Sequence, residues 1–198
     1  MAITINGTNN TISGLAVGGL PDGCVDADTL ASGVGGKLLQ VQTGIKTDQS
    51  TMAVNINAGY ASYGIIHSVN ITPQLSNSKI LVMYTISGSG SQGSHAVSTI
   101  RKVVSGSSDA YPFLSDTISG FYRATTGTRF IGSNDHNISQ QSFTGLDTAG
   151  TTSQITYRIV GATEGAATWR INNNGTDNNS ASWSASFATA ITVMEIAV

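Results

Sequence analysis

Cysteine and charge are both scarce in this sequence, and each shortage excludes a class of protein. Cys24 is the single cysteine among 198 residues, so the chain has no intrachain disulfide and none of the cysteine spacings of zinc or dithiol redox sites. Charged residues make up only 10% of the chain, against roughly 25% in an average soluble domain. The formal net charge is −2, which gives no reason to expect nucleic acid or an anionic membrane as a partner.

Long apolar runs and a secretion signal are also missing. No stretch approaches the roughly 18 consecutive apolar residues of a membrane-spanning helix. The opening MAITINGTNNTISG lacks the basic and apolar regions of a signal peptide. We therefore expect a protein that is made and assembled in a cytosol, without membrane insertion.

Basic and aromatic residues are absent from the first part of the chain. Residues 1–36 contain no lysine or arginine, and the first aromatic residue is Tyr60. The stretch GVGG at 33–36 has the composition of a flexible hinge. We therefore predict two regions: an extended N-terminal attachment and trimerisation segment, 1–36, and a β-sandwich head domain, 37–198.

The N-terminal segment is organised around GLAVGGLPDGCVDADTLASG, residues 14–33. Its apolar side chains cannot form a core alone, so we expect them to contact neighbouring subunits or another protein to which the chain attaches. These candidate attachment residues are Leu15, Val17, Leu20, Pro21, Val25 and Leu30. Asp22, Asp26 and Asp28 supply oxygen ligands, but their spacing does not match a calcium loop. Turn formation at Asp22 and capping of a short helix by Asp26 explain them without a metal.

From Lys37 onward, short runs of alternating apolar and polar residues predict strands, and no stretch of a dozen residues has a helical period. The predicted strands are Leu39–Ile45, Val54–Ile56, Ile65–Thr72, Lys79–Ile86, Ala96–Val104, Arg129–Gly132, Ile155–Ile159, Ala167–Ile171 and Ile191–Val198. The apolar run KILVMYTI at 79–86 predicts a central strand, and the apolar C-terminal strand an interior one. The head is thus predicted to be all-β, a jelly-roll-like sandwich of about eight to ten strands.

The residues that catalysis would need are sparse and lack supporting motifs. The histidines are His67, His95 and His136, and no G-x-S-x-G nucleophile motif is present. Asp135 and His136 are adjacent, so on an extended backbone their side chains point to opposite faces. Glu195 lies in the apolar last strand, where we expect a structural salt bridge with an arginine. We predict a non-enzymatic protein without cofactor or metal.

Glycan binding is the sharper functional hypothesis. Carbohydrate sites combine aromatic faces with a few amide, carboxylate or guanidinium groups that orient the ligand. Trp169 and Trp183 flank an amide-rich loop, and Tyr60 and Tyr63 form a second aromatic loop. The candidate contact residues are Trp169, Asn172, Asn173, Asn174, Asp177, Asn178, Trp183, Tyr60 and Tyr63. The alternative is that both tryptophans are core or interface residues and that the asparagines only accommodate turns.

Both ends and the middle of the chain also suggest a family. The segments that suggest it are ITINGTNNTISGLAVGGLPDG, VDADTLASG, KLLQVQTGIKTD, ITPQLSNSKILVMYTISG, FYRATTGTRFIG and the terminal ITVMEIAV. In these segments the chain resembles small tail-fibre or fibre-like structural proteins of tailed bacteriophages. This resemblance implies a homotrimeric virion protein whose N-terminus docks on another virion protein. Its β-head would face outward and bind a host cell-surface glycan or protein.

Two alternatives stay open within that resemblance. The chain has no repetitive shaft between segment and head, so it could be a capsid decoration or head-fibre protein bound to the capsid lattice. A polysaccharide-degrading tailspike is the third possibility, because carboxylates of adjacent subunits could meet. Position on the particle separates the first two, and turnover of host polysaccharide tests the third.

Overall fold

The computed structural model describes residues 4–6, 11–13, 37–131, 138–174 and 185–198. The chain divides into two compact units, Met1–Gly36 and Lys37–Val198. In the first unit, β1 (Thr4–Asn6) and β2 (Thr11–Ser13) pair in antiparallel fashion. The predicted attachment residues Leu15, Val17, Leu20, Pro21, Val25 and Leu30 lie outside the described residues.

The second unit is built almost entirely from strands. They are β3 (Leu38–Lys46), β4 (Ser50–Met52), β5 (Gly64–Ile71), β6 (Lys79–Gly90), β7 (His95–Val104), β8 (Thr126–Arg129), β9 (Ser139–Thr148), β10 (Ile155–Thr163), β11 (Trp169–Ile171) and β12 (Thr189–Ile196). Three short 3-10 helices, Ile56–Ala58, Tyr60–Ser62 and Glu164–Ala166, are the only helical turns among the described residues.

Two antiparallel sheets form an all-β sandwich, which confirms the predicted fold class. The smaller sheet has the order β5-β10-β7-β8. In the larger sheet, β6 pairs with β12 along Lys79–Thr85 and then with β11 along Gly88–Gly90, while β9 pairs along its other edge. β3 and β4 extend the sheet beyond β12 and β11. The predicted central position of β6 and the interior position of β12 are both confirmed.

Alternate residues of the facing strands fill the core between the sheets, as strand geometry requires. The larger sheet contributes Ile80, Val82, Tyr84, Ile86, Ile191 and Val193, and the smaller sheet Ile100, Ile155, Tyr157 and Ile159. All of these side chains are buried. Burial of one such side chain stabilises a fold by roughly 1.5–3 kcal/mol before the entropy cost of ordering it.

A buried polar network joins the two sheets within this core. The Tyr84 hydroxyl lies 2.9 Å from Ser98 Oγ and 3.0 Å from Thr126 Oγ1. Gln141 Oε1 accepts hydrogen bonds from Ser98 at 2.6 Å and from Thr126 at 3.0 Å, and its Nε2 donates to the Ala96 carbonyl at 3.0 Å. Because every member has a partner, the network fixes the register between the sheets without an unpaired buried group.

The structure corrects the predicted strand over Val54 and Ile56. β4 ends at Met52, and Ile56–Ala58 forms a 3-10 helix. Asn55 begins that helix, because its side-chain oxygen accepts a hydrogen bond from the backbone N–H of Asn57 at 2.9 Å. The local cap therefore overrides the alternating pattern, although Val54 and Ile56 still pack in a second, smaller core.

The expected salt bridge between Glu195 and an arginine is also wrong. Glu195 is fully buried, and its carboxylate accepts hydrogen bonds from the backbone N–H of Gln74 at 2.8 Å and of Leu75 at 3.2 Å. Gln40 Nε2 donates a third hydrogen bond at 2.6 Å. The loop that follows β5 therefore supplies backbone donors in place of a cation, and the carboxylate fastens that loop to β12 and β3.

Candidate functional site

The candidate site begins with the segment that covers part of the smaller sheet's outer face. Ile56 and Tyr63 are buried there against Val160 and Ala162 of β10. Gly59, with φ of 80°, makes the sharp turn that separates the two 3-10 helices. Buried anchors on both sides thus fix the position of Tyr60, which lies between them.

A second segment, residues 110–125, lies beside this one and is fixed at both ends. Ala110 exchanges backbone hydrogen bonds of 2.8 Å and 3.0 Å with Lys102 of β7. At the other end, the backbone N–H of Thr125 donates to the Ser98 carbonyl at 2.9 Å. The Phe113 side chain packs on Phe143, which belongs to the edge of the main core.

Aromatic rings and guanidinium groups from these segments and β7 meet in one cluster. The rings of Tyr60 and Tyr111 pack edge to face with centroids 4.9 Å apart. The Arg123 guanidinium lies 5.2 Å from the Tyr60 ring centroid, and that of Arg101 lies 5.9 Å from the Tyr111 ring centroid. Both distances allow cation–π attraction. We call this set the aromatic surface, and we include in it Tyr122, whose hydroxyl contacts Asn57, and the exposed sequence neighbour Phe121.

Hydrogen bonds hold the polar groups of the aromatic surface in place. Arg101 Nη2 donates to the Tyr63 carbonyl at 2.9 Å, and Arg101 Nη1 lies 3.8 Å from Asp109 Oδ2. Arg123 Nε donates to the Ser115 carbonyl at 2.7 Å. The Tyr122 hydroxyl donates to Asn57 Oδ1, which links the two segments side chain to side chain.

Large apolar faces remain open to solvent at this surface. Phe121 is 72% exposed and Tyr122 is 53% exposed, and Ile118 of the same segment is 60% exposed. Exposed aromatic faces next to fixed guanidinium, carboxylate and amide groups are the elements of a carbohydrate site. The arrangement can stack the apolar side of a sugar ring and offer hydrogen-bond partners to its hydroxyl groups.

Of the two predicted tyrosines, the structure brings only Tyr60 into the aromatic surface. The Tyr63 ring is buried, with 3% exposure, and its hydroxyl donates to the Arg123 carbonyl at 3.3 Å. Burial, with a smaller effect from Tyr122, raises the pKa of Tyr63 to about 12. Tyr63 is therefore an anchor beneath the site and not a ligand contact, which corrects the prediction.

The predicted contact at Trp169 is wrong as well. Trp169 lies on β11, pairs with Gly90 of β6, and is only 1% exposed. Its indole packs in the main core, where no sugar ring can reach its face. Trp169 is therefore a core residue, which was the alternative to a glycan contact. Asp177, Asn178 and Trp183 lie outside the described residues.

Asn172 and its two neighbours hold together a break in the larger sheet. Asn172 is fully buried in the left-handed conformation, with φ of 61°. Its Nδ2 donates to the carbonyls of Lys46 at 2.8 Å and Asp48 at 3.1 Å, and its Oδ1 accepts from Thr189 Oγ1 at 2.8 Å. These bonds close the gaps between β3 and β4 and between β11 and β12. Asn172 is thus structural and not a glycan contact.

The next two asparagines also bind neighbouring chain. Asn173 Nδ2 donates to Gln49 Oε1 at 3.1 Å, and Asn173 forms a β-bridge with Ser186. Asn174 is 5% exposed, and its side-chain oxygen accepts from the backbone N–H of Ala185 at 2.5 Å. The first three asparagines of the predicted amide-rich loop therefore hold the start of that loop against neighbouring segments of the chain. Because Asn174 is buried and bonded to Ala185, it is not the predicted ligand contact.

Replacing Asn172 with alanine is expected to lower the free energy of unfolding by about 2 kcal/mol. The variant leaves the Lys46 and Asp48 carbonyls and the Thr189 hydroxyl without a partner and places alanine at positive φ. Asn172→Gly isolates the hydrogen bonds, because glycine accepts that backbone conformation. Urea unfolding of both variants measures the two contributions. Equal stability of all three proteins would contradict the structural role.

Five carboxylates of the second unit are occupied by nearby protein groups. Their partners are Lys46 for Asp48, Arg101 for Asp109, Lys102 and Tyr157 for Asp147, His95 for Glu164, and backbone N–H groups for Glu195. His67 lies on β5 as predicted, and burial with nearby Lys46 lowers its pKa. Within the described part of the chain, no three His, Cys, Asp or Glu side chains form a potential metal site.

Sequence reasoning missed most of the aromatic surface, because its members come from distant positions. Arg101 lies on β7, Tyr111 follows it, and Phe121, Tyr122 and Arg123 belong to a later loop. One signal was available: the run FYR at 121–123 stands between SG and ATTG, where buried aromatics are not expected. Only the fold places this run beside Tyr60.

Neither a membrane-spanning helix nor a known relative points to a function. Over the residues that the structure describes, no helix is long and apolar enough to cross a membrane. No protein-family model and no curated protein matches the chain, so the aromatic surface and the sequence resemblance carry the functional argument.

Proposed function

We propose that this chain is a non-enzymatic tail-fibre protein of a bacteriophage virion, whose β-head binds a host-surface glycan through the aromatic surface. The resemblance described above supports the virion part of the proposal. The observation that carries the recognition part is the exposure of Phe121 and Tyr122, which directly precede Arg123, whose guanidinium lies over the Tyr60 ring. The homotrimer and the docking of residues 1–36 on another virion protein belong to the same proposal.

The aromatic surface is suited to a sugar in three respects. Its rings present apolar faces that stack on the C–H side of a pyranose. Its polar groups are already held by protein partners, so little ordering entropy is lost when a ligand binds. Finally, its segments are anchored on a rigid sheet, as is usual for binding loops.

The engaged carboxylates support a binding function over hydrolysis. A glycosidase needs two carboxyl groups that face a common cleft, roughly 5–10 Å apart, with a water-accessible path to the glycosidic bond. Asp147 instead accepts from Lys102 Nζ and Tyr157 Oη, each at 2.8 Å. Glu195 is fully buried beneath the loop that follows β5. Both acids thus have structural partners.

Removing the exposed rings should weaken recognition while leaving the fold intact. The double variant Phe121→Ala and Tyr122→Ala is expected to bind host cells or their isolated surface glycans at least tenfold more weakly. Each stacking contact on an aromatic ring contributes on the order of 1 kcal/mol. Binding of labelled protein to host cells and to a glycan array measures the loss.

Leu75→Ala is the matched control, because Leu75 is 44% exposed and lies in the loop that follows β5. This variant should bind as the parent does, and circular dichroism should show all three proteins folded. Parent-like binding by the double variant would place recognition elsewhere. Release of sugars from host polysaccharide by the parent would contradict the non-enzymatic part.

Position on the particle tests the virion part separately. Gold-labelled antibody against the chain should decorate the tail or baseplate of the phage that carries it. Labelling over the capsid lattice would favour the decoration protein in its place. Neither result depends on whether the aromatic surface binds a sugar.

A further inference from the structure

Part of the outer face of the larger sheet carries no charge across four adjacent strands. Lys79 lies at the margin of this part, where its Nζ donates a hydrogen bond to Thr148 Oγ1 at 2.8 Å. Strand pairing places the side chains of the uncharged part in three cross-strand rows of four. The rows, each written from β3 through β12 and β6 to β9, are Val41, Met194, Leu81 and Leu146; Thr43, Thr192, Met83 and Thr144; and Ile45, Ala190, Thr85 and Ser142. Every one of these side chains is exposed or half-buried. We call this set the uncharged face.

The outer face of the smaller sheet is partly covered by other segments of the chain. There the two 3-10 helices at residues 56–62 pack on Val160 and Ala162, with Val97 at their edge. Residues 110–125 lie beside them and bond to β7. Among the described residues of the second unit, no segment covers the uncharged face in this way. Among the described residues, loops of the chain thus cover part of the smaller sheet's outer face and leave the uncharged face open.

The size of the uncharged face suits the centre of a protein interface. Four strands about 4.8 Å apart and rows about 6.8 Å apart span roughly 400 Å² in projection. This area is about half of the roughly 800 Å² that each partner contributes to a standard interface. A polar rim supplies the remainder in most interfaces.

We propose that the uncharged face binds a second copy of this chain by sheet-on-sheet packing. Because the same face of both copies meets, this is a two-fold contact, additional to the three-fold contacts of the proposed homotrimer. A partner with charged residues would have to bury them against threonine, methionine and leucine without counter-ions, at a cost of several kcal/mol for each ion. A second copy presents a face of the same strand spacing, the same twist and no charge. Twisted sheets of this kind pack face to face at about 10 Å.

The shape of the uncharged face also suits packing against a second copy. A shallow depression of about 250 Å³ lies along β12, β6 and β9 at the uncharged face. It is lined by Met83, Tyr84, Thr85, Ser142, Phe143, Thr144, Ala190 and Thr192. At its margins, Ile45 is 63% exposed and Leu146 is 55% exposed. Protruding aliphatic side chains at the edges and a depression in the middle allow two copies to interdigitate.

Two lysines on the uncharged face should disperse the assembly. Sedimentation equilibrium of the full chain is expected to give an oligomer for the parent. The double variant Thr43→Lys and Thr144→Lys should self-associate at least tenfold more weakly, because like charges would face each other across a dry interface. Both positions are exposed, so the thermal midpoint should stay near that of the parent. Ser68→Lys with Asn70→Lys on β5 is the control and should match the parent in mass.

Cysteine labelling locates the interface directly within whatever assembly forms. In a Cys24→Ser background, Thr144→Cys should react with a maleimide at least tenfold more slowly than Ser68→Cys, although both side chains are exposed in the single chain. Equal labelling rates in an oligomeric protein would overturn the proposal. A monomeric parent would also overturn it and would leave the face to a different protein.

Discussion

Gly88→Ala should lower the free energy of unfolding by about 3 kcal/mol or more, the largest loss we expect from one added methyl group. A Cβ at Gly88 would lie 2.1 Å from the carbonyl oxygen of Arg170 and 3.1 Å from its carbonyl carbon. Both are backbone atoms of β11, which a side-chain rotation cannot relieve. Because Gly88 is also paired with Ser139 of β9, β6 cannot retreat without losing hydrogen bonds on its other edge.

Gly127→Ala provides the matched control within the same sandwich. Gly127 also lies in a strand, but its added Cβ would come no closer than 3.4 Å to Val97 Cγ1. That variant should match the parent within about 0.5 kcal/mol or be slightly more stable. Urea unfolding followed by tryptophan fluorescence reports on both, since Trp169 is buried beside β6. Two equally stable glycine variants would show that β11 does not approach β6 this closely.

Strands whose inward residues are continuously apolar were predictable from the sequence. KILVMYTI and the C-terminal run gave β6 and β12, because hydrophobic burial alone explains their positions. β9 was missed, since SQQSFTGLDT contains few aliphatic residues. Its inward residues Gln141 and Asp147 are satisfied by partners on other strands, Ser98 and Lys102. Hydrogen bonds and ion pairs between residues that are distant in the sequence leave no sign in the local alternation of apolar and polar residues.

Site prediction failed where residue type was taken as a sign of exposure. Trp169 and Asn172 have the chemistry of a sugar site, but the alternation of β11 and the break beside it turn both inward. Tyr60 and Tyr63 were predicted together as an aromatic loop, but Tyr63 is buried and only Tyr60 belongs to the aromatic surface. The guanidinium group over Tyr60 belongs to Arg123, 63 positions away, and Arg101, which approaches Tyr111, lies 41 positions from Tyr60. Only the tertiary fold unites them.

Glu195→Gln is expected to lower the free energy of unfolding by about 2–3 kcal/mol at pH 7. The new amide nitrogen would face donors that now point at a carboxylate, namely the backbone N–H groups of Gln74 and Leu75 or the Gln40 amide. At least one buried donor would lose its acceptor. Glu164→Gln is the matched control: Glu164 is half-exposed beside His95, so its loss should change stability by less than about 1 kcal/mol.

The pH dependence of that difference tests the carboxylate itself. Burial raises the pKa of Glu195, but the hydrogen bonds from Gln40, Gln74 and Leu75 outweigh it and hold the pKa below its ordinary value. The native state therefore binds fewer protons than the unfolded chain. This stabilisation is complete above the unfolded pKa of about 4.3 and disappears as the pH falls through the folded pKa. Urea midpoints of parent and Glu195→Gln should accordingly differ most above pH 5 and converge toward pH 3. A gap that stays constant from pH 7 to pH 3 would mean that Glu195 is not held as a carboxylate, and its role in fastening the loop after β5 would then rest on shape alone.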